Sequence, residues 1–409
     1  MNPSLLVIPY RYKASKLYSQ LPESGAGDFT VVRNTTATRV NASGLIESVA
    51  ANVPRLDYTG GGCGSLLVEP AATNLLLQSQ TFQTTWTAGN VTLSVNATPA
   101  PDGTTTADKI VVDATSNFHQ VSQVVTLADS LTYTFSVFAK KAELNWVSLA
   151  STNKAGVDYL AWFNLDAGVV GTIGVGATAR ISLSPNGYYK CEMSYPSQTG
   201  AATTRQRIRV NSADNQFSWL GNGTDGIFLW GAQLEVGSVA TSYIPTVAST
   251  QTRNADVISL TGASALIGQA SGTLYAEVDI RNFANAGIFL SISDATSSNR
   301  VQLYKFTDSK IYSDRISATQ SALTSISTSA LSAGIYKVAF AYASGNSALF
   351  INGVQIGSNA AQTFTFGAMG KINIGSRFDD TQIINDRITT AALYPTRLDN
   401  ATLAQLTTL

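Results

Sequence analysis

The sequence predicts an all-β protein: two consecutive β-sandwich domains of jelly-roll or related type, behind a short irregular N-terminal segment. Three observations predict it. Apolar and polar residues alternate with period two in many short runs, as half-buried strands require. Clusters of Gly, Pro, Asn and Asp separate those runs at short intervals. The 409 residues are too many for one ordinary sandwich and suit two. Composition agrees. With 44% hydrophobic residues and 13% charged ones, the chain is too apolar to be disordered and too poor in Glu, Lys and Arg to clothe exposed helices.

Residues 1–72 form the first stretch. Residues 5–8 are a short apolar run ended by Pro9, an edge strand or a docking arm. The run is too short for the core of a signal peptide. Gly25, Gly27, Gly44 and the run Gly60, Gly61, Gly62 mark turns. Residues 30–33 and 66–69 can pair as strands. No self-sufficient core is visible, so this stretch is expected to pack on a partner or on the next domain. Arg39, Arg55, Asp57 and Glu69 stand out where charges are scarce, and are expected to pair with one another or nearby through bidentate hydrogen bonds.

Residues 73–246 alternate strongly. Strands are predicted over 107–112, 119–126, 131–138, 146–150, 159–164, 187–195, 206–210 and 227–235, with turns such as Pro101-Asp102-Gly103 and Pro185-Asn186-Gly187 between them. Residues 247–256, polar and without aromatics, read as a linker. The last domain, 257–409, contains the run 274–280, whose Leu274, Ala276, Val278 and Ile280 point inward. Asn352-Gly353 predicts a two-residue hairpin between strands 348–351 and 354–356. A helix is predicted over 400–406, with Asp399 as N-cap and Leu403 and Leu406 on one face.

Two sets of residues carry resemblances. Gly334-Ile335-Tyr336-Lys337-Val338-Ala339-Phe340, Ala348-Leu349-Phe350-Ile351-Asn352-Gly353 and Ile372-Asn373-Ile374-Gly375 make the last domain resemble a concanavalin A-like or laminin-G-like sandwich. Ala37-Thr38-Arg39-Val40-Asn41, Val53-Pro54-Arg55-Leu56-Asp57, Leu66-Leu67-Val68-Glu69-Pro70 and Thr73-Asn74-Leu75-Leu76 form the second set. To it belong Gly231-Ala232-Gln233-Leu234-Glu235, Thr241-Ser242-Tyr243-Ile244-Pro245-Thr246 and Thr252-Arg253-Asn254-Ala255-Asp256. This set is similar to virion proteins of tailed bacteriophages, head or tail fibre and minor structural proteins, in which the later phrases close a carbohydrate-binding-module-like sandwich. The resemblance implies a virion-surface subunit, often trimeric, made in the host cytoplasm. Its N-terminal segment would attach to other virion proteins or organise the oligomer, and its sandwiches would meet cell-surface glycans. Head and tail locations both stay open.

Charge and chemistry narrow the function. Lys and Arg total 26, as do Asp and Glu. This balance gives no long-range attraction for nucleic acid or an anionic membrane, and it permits close self-association. No run approaches the ~20 apolar residues of a membrane-spanning helix. Cys63 and Cys191 lie far apart without a CxxC spacing, so zinc is not expected; buried free thiols are expected, a disulfide being the alternative. His119 is the sole histidine. A Ser-His-Asp or Cys-His arrangement would have to use it, and its place in an alternating run favours a structural role. Glu277 and Asp279 are the nearest match to the paired acids of a glycosidase, but they face outward and no third acid follows. The chain is therefore expected to be non-enzymatic. No cofactor is expected, except that Asp294, Asp379 and Asp380 are a candidate Ca²⁺ site, with solvated turns as the alternative. All five tryptophans lie in the middle domain. Trp86 and Trp219, beside turn-rich segments, are the candidates for exposed faces on which sugar rings stack; core packing is the competing fate. The rival functions are a decoration protein without ligand and a polysaccharide depolymerase.

Overall fold

A computed structural model describes residues 2–152, 158–197, 202–317, 320–326, 329–359 and 364–409. Its strands form sandwich-type antiparallel sheets, distributed over two compact units. The first unit comprises Met1–Arg39, Val49–Ala71 and Asn254–Leu409; the second comprises Val40–Ser48 and Ala72–Arg253. The linear division at residue 72 is thereby redrawn. Most of the N-terminal stretch is built into the sandwich made by the last 150 or so residues.

In the first unit one sheet runs, in spatial order, Val354–Asn359, Ser347–Ile351, Gly334–Ala343, Ser271–Ile280, Asp386–Tyr394, Ser65–Val68 and Arg55–Asp57. Strand Leu5–Val7 joins it on Asp386–Tyr394, with Leu5 opposite Leu393 and Val7 opposite Ala391. Further along the same strand, Leu66 lies opposite Ile388 and Val68 opposite Asp386. The second sheet runs Tyr12–Lys13, Lys16–Leu17, Phe29–Val32, Val257–Leu260, Lys371–Ile374, Gly287–Ser293, Arg300–Lys305, Ile311–Ser317 and Gln320–Ile326. Between the sheets Leu5, Phe29, Leu66 and Val68 pack with Leu274, Phe289, Val301 and Ile374 in one core. Leu274, Ala276, Val278 and Ile280 are all fully buried, as their alternation requires. Asn352 and Gly353 take φ of 49° and 82°, the two left-handed positions of a type I′ hairpin turn. Helix Asn400–Thr407 begins at Asp399, whose Oδ1 accepts the Thr402 N–H at 2.8 Å. Its Leu403 is buried against Tyr275, Ala339 and Phe350 on the outer face of the first sheet.

Few charges are spent in this unit, and most of those near residue 55 are spent internally. Arg55 Nη1 donates to Glu69 Oε2 at 2.7 Å and to the Thr38 carbonyl at 3.1 Å, and Arg55 Nη2 pairs with Asp256. Arg33 Nη1 reaches the other oxygen of Asp256 at 2.9 Å, and Asp57 takes Arg387 Nε at 2.7 Å. Arg39 donates to the Tyr12 hydroxyl at 3.3 Å. Asp256 is 1% exposed, so the segment expected to be a linker ends in a buried ion pair. Its residues Gln251–Arg253 pair with Ala72–Asn74.

The second unit is a sandwich of two sheets. One runs Thr87–Gly89, His119–Leu127, Ala202–Asn211, Trp146–Thr152, Asp158–Asn164 and Val169–Ile173. The other runs Val91–Thr98, Ala107–Val112, Gly226–Val236, Thr132–Lys141, Tyr188–Pro196 and Thr178–Ser184. Phe135, Val137, Leu149, Phe163, Ile208 and Leu229 fill the space between them. Both cysteines are thiols. Cys191 is buried, which raises its pKa well above the ordinary value, and Cys63, expected to be buried, is exposed. No helix among the described residues is long and apolar enough to cross a membrane.

Candidate functional site

Strands Arg300–Lys305 and Ile311–Ser317 pair so that Gln302 lies opposite Asp314 and Tyr304 opposite Tyr312. Val301, Leu303 and Ile311 are fully buried in the core between the sheets. Alternation therefore sets Arg300, Gln302, Tyr304, Tyr312 and Asp314 on the other face of the sheet. The loop after Lys371–Ile374 closes over one side. It is tied down where Gly375 N donates to Phe289 O at 2.9 Å, Ile288 N to Gln382 O at 3.1 Å and Ile384 N to Gly375 O at 3.0 Å. Gly375 has φ of 77°, and a Cβ there would sit 2.6 Å from a Val68 methyl, so only glycine allows this loop entry. Together these elements enclose a pocket of about 220 Å³ lined by Arg300, Gln302, Tyr304, Asp314, Arg377 and Gln382, among others.

The pocket is polar and incompletely satisfied from within. Asp314 Oδ2 accepts Gln302 Nε2 at 2.9 Å. Asp314 Oδ1, Gln302 Oε1 and Arg300 Nε are buried and have no hydrogen-bond partner among the described residues. Such atoms are costly to leave unmade, and all three belong to residues that line the pocket. Burial lifts the Asp314 carboxyl to about 6, against the opposing pull of the Arg300 guanidinium. Arg377 pairs with Asp379 through Nε at 2.9 Å and holds that carboxyl well below the usual carboxylate range. Beneath the pocket, buried Lys305 meets buried Asp386 at 2.8 Å; desolvation lowers the pKa of the lysine and raises that of the aspartate. Tyr304 and Tyr312 stack with centroids 5.2 Å apart, and Phe306, 47% exposed, stands edge-on to Tyr312.

The residues singled out from sequence lie elsewhere. Trp86 is 5% exposed, packs on Phe82 at 5.1 Å and donates to the Leu77 carbonyl. Trp219 is half-buried, edge-on to His119, and its Nε1 donates to Val210 O at 3.3 Å. The gain from burying indole surface has taken Trp86 inward, where it offers no face to a sugar, while Trp219 keeps part of its surface exposed. Asp294 accepts from Thr296 and Asn299; Asp379 is held by Arg377 and Thr381; Asp380 takes Lys371 Nζ at 3.0 Å and Asn373 Nδ2 at 2.6 Å. Among the described residues no three His, Cys, Asp or Glu side chains converge as a metal-ligand set, so Asp294, Asp379 and Asp380, the candidate Ca²⁺ ligands, are not brought together. Each aspartate instead closes its own turn. His119 is 1% exposed between the carbonyls of Asn90 and Trp219. Asp279 is paired with Arg387 at 2.9 Å.

Sequence reasoning passed over Arg300, Gln302, Tyr304 and Asp314. A signal was present: polar or aromatic residues at every second position in 300–304 and again at 312 and 314. It missed a second surface too. In the second unit Phe118 and Phe217, 38% and 40% exposed, flank the Arg209 guanidinium at 5.1 and 5.9 Å.

No protein-family profile matches the chain, and no curated protein sequence does. Among solved structures it is similar to the CBM40 of the Ruminococcus gnavus IT-sialidase bound to α2,3-sialyllactose. The identity is 16% and the TM-score 0.31, over 35% of this chain and 84% of that one. Domain 4 of AbnA, an arabinanase of Geobacillus stearothermophilus in complex with arabinotriose, gives 14% and 0.32 over 41% of this chain and 82% of that one. Mouse laminin α1 domains LG4-5 give 10% and 0.25 over 70% and 92%. The all-β sandwich assignment rests on the strand pairing itself.

Proposed function

We propose that this chain is a non-enzymatic, glycan-binding subunit of a bacteriophage virion surface, a fibre or decoration protein. The observation that carries the glycan reading is the pocket beside Asp314. It combines unpartnered polar atoms of both donor and acceptor kind with neighbouring aromatic rings, the combination that a polyhydroxylated ring satisfies. Asp314 is the one carboxylate on the pocket wall. The common mechanism of glycoside cleavage uses two carboxylates about 5–10 Å apart; the proposed chemistry is binding without bond breaking. The virion reading is supported by the resemblance of the 37–76 and 231–256 phrases to phage structural proteins. Since Met1–Arg39 and Val49–Ala71 belong to the first unit, attachment to neighbouring virion proteins is assigned to the surface of that unit, not to a free arm. A homo-oligomer, trimeric in this reading, would present several weak pockets at once and gain by avidity.

The test is a glycan array probed with the full-length chain, beside a Gln302→Ala variant. Specific signal that falls about tenfold or more in the variant supports the reading, since a buried hydrogen-bonding partner is lost. Silence of the wild-type chain across the array leaves the decoration protein without ligand. Mass spectrometry of purified particles, with the chain present in stoichiometric amount, tests the virion assignment separately.

A further inference from the structure

We infer that the pocket selects uncharged sugar residues, and that Asp314 is the residue that turns acidic sugars away. The inference rests on the glycan-binding reading above and adds the class of ligand to it. It follows from the charges around the pocket, taken one by one. Arg377 is matched by Asp379 at 2.9 Å. Lys305 is matched by Asp386 at 2.8 Å, with both side chains fully buried. Arg300 has no ion pair among the described residues. Its Nη1 donates to the Ser297 carbonyl, and its guanidinium lies over the Phe378 ring, Cζ 5.6 Å from the centroid. The remaining charge on the wall is Asp314, on the adjacent strand and diagonal to Arg300, since Arg300 faces Ile316 and Gln302 faces Asp314. Arg377 and Lys305 each have an anion in contact, and Arg300 has Asp314 diagonally across the strand pair, so the charges around the pocket sum to no surplus positive charge for a ligand carboxylate.

The unpartnered atoms carry the same message. Two of the three, Asp314 Oδ1 and Gln302 Oε1, accept hydrogen bonds, and one, Arg300 Nε, donates. A hydroxyl serves both kinds. A carboxylate can only accept; set against Asp314 it would meet a like charge and leave both acceptors unmade. A neutral ring with neighbouring hydroxyls offers both donors and acceptors to the residues that line the pocket. The polarity of the wall, and not its size, makes the choice, because about 220 Å³ admits a neutral and an acidic sugar ring alike.

The experiment compares the full-length chain with Asp314→Asn on an array pairing neutral oligosaccharides with their sialylated and uronic-acid counterparts, at pH 7.5. Asparagine keeps a carbonyl acceptor at the same place but frees Arg300 of its counter-charge. The expected result is wild-type signal on neutral glycans, with acidic counterparts weaker by about tenfold or more, and a shift of that ratio toward acidic glycans by about tenfold in Asp314→Asn. An unfolding midpoint at or above wild type shows that the variant is folded. Wild-type signal led by acidic glycans, or a ratio unchanged in the variant, overturns the inference while glycan binding stands. No wild-type signal on either class overturns the glycan-binding reading and this inference with it.

Discussion

At Asp314 the protein holds a carboxyl where burial works against its ionised form. Between the ordinary value of 3.8 and about 6 the folded chain keeps a proton there that the unfolded chain has lost. The contribution to stability is therefore fully present below pH 4 and is lost as pH rises through 6. Asp314→Asn removes that dependence. The variant is expected to be more stable than wild type at pH 7.5, on the order of 1–3 kcal/mol, and to show no such gain at pH 4. Urea unfolding followed by far-ultraviolet circular dichroism at the two pH values measures it; a constant difference between the proteins would contradict it. Arg55 presents the opposite case. Its guanidinium sits fully buried between Glu69 and Asp256. Arg55→Met removes the cation shared by the two carboxylates, leaving Asp256 to Arg33 and Glu69 to Arg281, at a cost of about 3–5 kcal/mol. A loss under 1 kcal/mol would mean that Arg33 and Arg281, which also reach these acids, can replace it.

The residues that carry the phage-like phrases turn out to be joints of the fold. Asn74 donates to the carbonyls of Ala232 and Ile244 at 3.1 and 2.9 Å and accepts from Leu76 N and Leu234 N, each at 3.1 Å. Gln233 accepts Ile244 N at 2.7 Å, and Glu235 takes the Thr241 hydroxyl at 2.7 Å while burial raises its pKa to about 7. These polar side chains stitch the last strand of the sandwich to the segment that follows it. That explains why a distinctive phrase points to an architecture and yet supplies no ligand-binding residue.

Among elements, legibility follows the range of the pairing. Strand Ser271–Ile280, the Asn352-Gly353 hairpin and helix Asn400–Thr407 were readable because period, turn chemistry and capping are local. The pocket was not, because it depends on a register between two strands and on a loop from more than 60 positions further on. Trp86 misled for a related reason: a ring beside turn residues in the chain can still be folded under them. The helix supports a direct test. Leu403 is fully buried on the far side of the sheet from the main core. Leu403→Ala should cost about 2–4 kcal/mol, whereas Asp399→Ala, which removes only the N-cap, should cost about 1 kcal/mol. Equal losses in denaturant titrations would mean that the cap, and not the buried face, holds the helix in place.

For the whole molecule, the decisive fact is that chain order and compact unit do not coincide. The six strands of each sheet in the second unit all lie between Thr87 and Val236. Residues 73–246 therefore carry both sheets and nearly all of that core, losing the Val40–Ser48 hairpin with its Ile46 contact to the Trp230 and Tyr243 cluster, and the short Gln251–Arg253 strand that pairs with Ala72–Asn74. Residues 257–409 are in a different position. Without the N-terminal stretch, Asp386–Tyr394 loses both Leu5–Val7 and Ser65–Val68, and Val257–Leu260 loses Phe29–Val32. Leu5, Val7, Leu17, Phe29, Val31, Leu66 and Val68 disappear from the core, and two strand edges are left open to aggregation. The expectation is that 73–246, expressed alone, unfolds cooperatively with the tryptophan emission of the intact chain, since all five tryptophans are in it. The fragment 257–409 should be aggregated or without fixed tertiary structure, and should recover dispersed amide resonances when co-expressed with 1–72. A well-folded 257–409 on its own would show that the N-terminal strands are an addition to a finished sandwich. Recovery only on co-expression would show that the sandwich is closed by the two ends of the chain together.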